Sequence, residues 1–116
     1  MGGERDLSRL LATLDPRLDV RRYSFSKTSE PILGESDFAI IREIEGLTSI
    51  RPDPSGDWAL ISLGVHSSLD AVGLTAVLSA RLGEAGISSN IVAAFYHDHF
   101  FVQWDRREEA LALLGG

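Results

Sequence analysis

Residues 58–104 read WALISLGVHSSLDAVGLTAVLSARLGEAGISSNIVAAFYHDHFFVQW. The first eight are almost continuously apolar, which predicts a central strand covered on at least one face. Gly64 marks its end and polar residues follow. Ser67, with Asp70 three positions on, has the S-x-x-D form of a capping box and predicts a helix starting at Ser68 or Leu69. Leu74, Leu78 and Leu82 then recur every four residues, flanked by Ala71 and Ala85, and Gly86 supplies the left-handed residue that commonly ends a helix. Gly73, inside that helix, is either a point of close packing or simply tolerated, at a cost of roughly 1 kcal/mol relative to Ala. Residues 90–96 and 99–104 are two further strands. They are so near each other that they must form an antiparallel hairpin, turning at His97 and Asp98.

Upstream the signals are weaker. Asp6 can cap a short helix whose stripe is Leu7, Leu10, Leu11 and Leu14, with Pro16 ending it. A strand is expected near residues 23–27 and a loop over 28–37, where Pro31 and Gly34 fall. FAIIREIE (38–45) and LTSI (47–50) read as strands broken at Gly46, a hairpin or bulged pair. RPDPSGD (51–57) is the clearest loop, since its Pro, Asp, Ser and Gly each favour turns for a separate reason. Downstream, Asp105 with Glu108 forms a second capping box ahead of an apolar helix carrying Ala110, Leu111, Leu113 and Leu114.

Composition excludes several classes. The chain has 116 residues, enough for one domain with a real core, and 44% hydrophobic and 24% charged residues, as in ordinary globular proteins. A net charge of -6, with scattered basic residues, argues against nucleic acid as a partner. Without cysteine there can be no disulfide and no thiolate metal site. No apolar run approaches the ~20 residues that span a bilayer, and the N-terminus lacks a secretory segment, so neither a membrane partner nor export is expected. A cytoplasmic location is the default.

Strand, helix, strand, strand, helix is most of a ferredoxin-like β-α-β-β-α-β plan. Its sixth strand is missing, and the N-terminal strands could fill that edge to give a larger sheet with helices on one face. The segments GVHSSL (64–69), EAGISSNI (84–91) and YHDHFFV (96–102) resemble the C-terminal half of a family of bacterial ACT-domain proteins related to the ACT domains of CASTOR-type arginine sensors. The likeness is densest over residues 58–104 and extends more weakly to DLSRLLATLDPRLDVRRYSF (6–25) and EIEGLTSI (43–50). It implies an α+β, ferredoxin-like ACT-type sandwich, an antiparallel sheet with helices on one face. It further implies tandem ACT-like units, the first degenerate and covering residues 1–52, the second covering 57–116, packed as one globule.

The same resemblance implies a regulatory or sensor domain for a small metabolite, an amino acid above all, and a homodimer. The ligand would meet the loop Gly64, Val65, His66, Ser67 and Ser68 and the strand Asn90, Ile91, Val92 and Ala93. The residues lend this some physical support. A helix N-terminus beginning at that loop would offer free N–H groups to an anion, Gly64 would let a ligand approach the backbone, and Ser67 and Ser68 would add hydroxyls. The alternative is that Ser67 merely caps the helix, in a module that keeps the fold without a ligand. No cofactor and no metal held by the protein alone are expected. His66, His97 and His99 have weak metal spacing, and a histidine hydrogen bond to the 64–68 turn is a competing use for one of them. No catalytic residue is assigned. There is no G-x-S-x-G elbow, P-loop or G-x-G-x-x-G, adjacent His66 and Ser67 cannot easily form a triad with Asp98, and Glu43 and Glu45 read as a solvated strand face.

Overall fold

The β-forming segments assemble into one six-stranded antiparallel sheet. In the computed structural model, which describes residues 3–115, the strands are β1 (Pro16–Thr28), β2 (Ala39–Glu43), β3 (Gly46–Pro52), β4 (Trp58–Leu63), β5 (Ser89–Ala93) and β6 (Asp98–Gln103). Their order across the sheet is β2-β3-β1-β4-β6-β5. The N-terminal strands thus occupy the edge that a lone ferredoxin-like unit would fill with its last strand. β1 is the junction. Its first half pairs with β4, from Pro16 opposite Leu63 to Tyr23 opposite Trp58, with an irregularity between Leu18 and Arg22. Its second half pairs with β3, from Tyr23 opposite Pro52 to Thr28 opposite Leu47.

Three helices, α1 (Leu7–Ala12), α2 (Leu74–Glu84) and α3 (Arg107–Leu113), join one core on one face of the sheet. Strand alternation decides which side chains they meet. Ala59, Ile61 and Leu63 of β4 and Phe100 and Val102 of β6 point to the helices and are wholly buried, as are Leu10, Leu78, Leu82, Ala110 and Leu114. Each large aliphatic among them contributes about 1.5–3 kcal/mol by leaving water.

The opposite face carries an aromatic layer in place of helices. Tyr23, Ile50, Leu60 and Phe101 are buried there, with Phe38 and Trp58 packed against them. Phe101 takes Tyr23, Phe25 and Phe38 edge-on at centroid distances of 5.6, 5.1 and 5.1 Å. Edge-to-face stacking of this kind adds to area burial. Tyr23 stays buried because its hydroxyl donates to Asp19 at 2.7 Å, and Arg21 reaches both groups. That Arg21 contact holds the Asp19 carboxyl down at about 2, while burial pushes the Tyr23 phenol up to about 12.

The structure corrects four local expectations. β1 begins at Pro16 and is far longer than residues 23–27. α2 begins at Leu74, behind Gly73 in the left-handed region (φ 96°), so Ser67 and Asp70 form no capping box. Asp70 is instead occupied locally, by the Ser68 hydroxyl and Arg5. The hairpin turns at Phe95 and Tyr96, closed by the Ala94 amide donating to the His97 carbonyl at 3.1 Å, and Asp98 opens β6. Finally, a 3₁₀ turn (Trp104–Arg106) stands where the second capping box was expected, and α3 has no side-chain cap. Trp104 is held there between the guanidinium groups of Arg22 and Arg107, at 4.8 and 3.9 Å from its ring centre.

Candidate functional site

The loop from Gly64 to Gly73 runs from the end of β4 to the start of α2, across the end of the β5–β6 hairpin. Its first residues are stitched to the N-terminal segment. Gly64 and Val65 donate to the carbonyls of Asp15 and Leu14 at 2.7 and 3.3 Å, Glu4 donates to His66 at 2.9 Å, and Ser68 donates to Glu4 at 2.8 Å. On the hairpin side, His97 Nδ1 donates to the Val65 carbonyl at 3.3 Å. A histidine therefore does tie this turn, the competing use anticipated above. The Ser67 hydroxyl donates to Asp98 Oδ2 at 3.0 Å, and both residues are buried.

A cleft of about 90 Å³ lies beneath the loop, lined by Ser67, Ser68, Leu69, Ala71, Leu74, Thr75, Ala93 and Asp98. Three of the expected site residues, Ser67, Ser68 and Ala93, meet in it. The other six do not line it. A Cβ on Gly64 would meet the Asp15 side chain, with its carboxyl carbon at 2.8 Å, so this glycine admits a close approach of the protein to itself rather than of a ligand. Val65 and Ile91 pack on the helix-side core. Val92 joins the aromatic face, and strand alternation puts Asn90 on that same side, away from the cleft. His66 lies against Phe95 and Tyr96, with ring centres 6.1 and 5.7 Å apart. The expectation of an anion seat on a helix starting at Ser68 also falls, because α2 starts six residues later.

Reading the sequence missed Leu69, Ala71, Leu74, Thr75 and Asp98. Leu74 and Thr75 were placed mid-helix, yet they form the first turn of α2, which has no side-chain cap. Asp98 was assigned to a turn. Alternation with Phe100 and Val102 was the signal that would have shown it facing the helices.

His99 sits on the far face. Its Nδ1 shares a 2.7 Å hydrogen bond with Ser62 Oγ, and Phe38 meets its ring at 5.0 Å. Burial first, then the charge of His97, lowers the His99 pKa, with Asp98 opposing. His97 and His99 have ring centres 6.5 Å apart, and among the described residues no group of three or more His, Asp or Glu side chains is placed to hold a metal ion.

The direction of that shift fixes a pH effect. The unfolded chain takes up this proton more readily than the folded one. Stability is therefore full above the ordinary histidine value of about 6.5 and falls as the pH drops below it. Urea denaturation midpoints should decline between about pH 7 and 5, and His99→Gln should flatten that decline. Equal slopes for the two proteins would show that His99 does not carry it.

Two sequence models of the ACT domain match the chain, one over residues 55–115 and the other over residues 2–59. The chain belongs to the ACT-domain family. The fold agrees, with two ACT-like units sharing one sheet. A crystal structure of a Vibrio cholerae protein of unknown function, described as a possible transport protein, superposes with a TM-score of 0.78 at 38% identity, covering 93% of this chain and 92% of that one. An Agrobacterium tumefaciens protein shares the fold, with a TM-score of 0.58 at 23% identity over 79% of this chain and 78% of the other. No curated protein sequence matches the chain. ACT domains are generally regulatory units that bind small molecules and commonly pair, rather than catalysts. Among the described residues no helix is long and apolar enough to cross a membrane.

Proposed function

We propose that this ACT-domain chain is a regulatory or sensor module that binds a small metabolite, an amino acid in the first instance, in the cleft between the β4–α2 loop and the end of β5. One observation carries the reading: Ser67, Ser68 and Ala93, from those two elements, line a single cleft with a buried carboxylate at its floor. The volume is well below the ~300 Å³ of a typical ligand pocket. The cleft therefore seats a head group, and the rest of the ligand lies over exposed Leu69 and Val72 or against a second copy. Residues 1–52 and 57–116 act as the two units, the first supporting the second, and the protein works in the cytoplasm as a homodimer. β5 leaves one edge of the sheet unpaired beside exposed Phe95 and Tyr96, a surface that pairing would cover. The arginine-sensor resemblance places arginine among the first ligands to try.

A second reading, an interaction module that keeps the fold without a ligand, is favoured by the small cleft and by the Ser67–Asp98 hydrogen bond, which ties the loop to β6 within the protein itself. Calorimetry against the common amino acids and nucleotides separates the two. At least one amino acid should give saturable heat, and light scattering at micromolar concentration should give twice the chain mass. Silence across the whole panel would favour the second reading, and a monomeric mass would remove the dimer.

A further inference from the structure

The two halves of the sheet repeat one plan. β4 runs parallel to β5 with β6 between them, and β1 runs parallel to β2 with β3 between them. Parallel strands are joined by a crossover, usually a helix. In the second half α2 is that helix, packed in one cluster with Ile61 and Phe100. In the first half residues 29–38 make the crossing with no helix. They pass over the same face of the sheet. Asp37 pairs with Arg51 at 3.6 Å, and strand register puts Arg51 level with Ser24, on the side of Arg22 and buried Ala59.

A loop is thinner than a helix, and a groove of about 430 Å³ stays open beside this one. That is the size of an ordinary small-molecule pocket, ~300–1,000 Å³. Pro31 and Leu33 of the loop form one wall, and Ala39, Ile40, Arg42 and Leu47 of β2 and β3 form the rest. Leu33 and its neighbour Ile32 are 56% and 74% exposed, so apolar surface stands open to water there. Arg42 is the single charged group in the lining, and among the described residues its side chain has no hydrogen-bond or ion-pair partner. Every other arginine pairs with a carboxylate or donates to a carbonyl. The nearby carboxylates are engaged elsewhere. Glu43 accepts from the Thr48 hydroxyl on the opposite face, and Asp37 accepts from the Gly34 amide and pairs with Arg51.

We infer that this groove, in the place of the missing crossover helix, binds a small carboxylic acid with an aliphatic body. The guanidinium offers a carboxylate a planar pair of donors, and the apolar walls take the carbon chain out of water. No carboxylate lines the groove to receive an ammonium group, so an α-amino acid does not suit it. The site is separate from the cleft of the β4–α2 loop and takes a different ligand class.

The test uses the full chain and calorimetry, with octanoate, hexanoate and octanol as probes. Octanoate should give saturable heat and bind up to roughly 15-fold more tightly than hexanoate, the gain for burying two more methylenes. Octanol should bind roughly 10- to 100-fold more weakly than octanoate, the loss expected when a hydrogen bond between charged groups is removed. 4-Methylpentanoate should displace octanoate, and leucine, the same skeleton with an ammonium group, should not. Arg42→Gln, on the exposed edge strand, should weaken octanoate binding by the same roughly 10- to 100-fold. Leu33→Ser, on the exposed loop, is the second variant and should weaken it roughly 5-fold. The acid site is overturned if octanoate gives no saturable heat, if octanol binds as tightly, or if leucine displaces octanoate as well as 4-methylpentanoate does. Unchanged octanoate affinity in either variant, once thermal melting shows it folded, overturns it too. A chain mass that halves in Leu33→Ser would assign the groove to a second copy instead.

Discussion

Phe101→Ala is expected to lower the unfolding free energy by about 3–5 kcal/mol, the range for deleting a fully buried phenylalanine. The residue has no exposed surface and lies at the centre of the aromatic face, touching Tyr23, Phe25 and Phe38 edge-on. Among the described residues no helix packs on that face, so none can settle into the cavity. The neighbouring rings are anchored on β1 and at the start of β2, and they cannot close a gap of that size without breaking strand register. The melting temperature should fall by on the order of 15 °C, at roughly 4 °C per kcal/mol for a domain of this size. A loss below about 1 kcal/mol, the level of an ordinary surface site, would mean the aromatic layer is not packed as described.

Gly56→Ala should be the most damaging single-methyl addition, costing about 2–3 kcal/mol, the upper part of the range for overpacking. A Cβ at this position would strike the Tyr23 carbonyl oxygen and lie 2.5 Å from its carbon and 3.0 Å from the Tyr23 amide nitrogen. Those atoms are backbone, in the one residue of β1 that is paired on both sides, with Pro52 and with Trp58. The loop carrying Gly56 cannot retreat either. Asp53 donates to Arg22, Gly56 donates to Asp53, and Arg22 Nε donates to the Gly56 carbonyl at 2.7 Å. Chemical denaturation gives the value. A variant as stable as the parent would show that the loop has slack which these hydrogen bonds deny it.

The half of the molecule with the strongest periodicity was the half most legible from sequence. Leu74, Leu78 and Leu82 predicted the buried stripe of α2, and WALISLGV predicted β4, because one-sided burial leaves a regular apolar trace. Boundaries failed where a local motif competed with tertiary contacts. Ser67 and Asp70 have capping-box spacing, but Ser67 turns inward to Asp98, and Glu4 bonds the backbone on either side of it, so the helix waits for Gly73. The candidate cleft was legible only in part for the same reason. Of the residues that family likeness singled out, only Ser67, Ser68 and Ala93 line the cleft, whereas Asp98 was hidden by its place in YHDH, where an aspartate reads as a turn residue. It became visible only once strand alternation showed which way it faced.

β1 was hidden by its charges, and those charges have a use of their own. Residues 16–18 pair only with β4 and residues 19–21 lie in the irregularity that follows, because pairing with β3 begins at Tyr23. That leaves a stretch of open strand edge along the first half of the chain's longest strand, with Val20 91% exposed upon it. Bare edges of this kind invite other chains to add on. Arg17 with Asp15 and Arg21 with Asp19 set two clamped ion pairs along the stretch, and the irregularity between Leu18 and Arg22 breaks its regular spacing. Polar residues that mask a strand from a reader of the sequence also mask it from a neighbouring molecule, and they guard this protein against edge-to-edge aggregation.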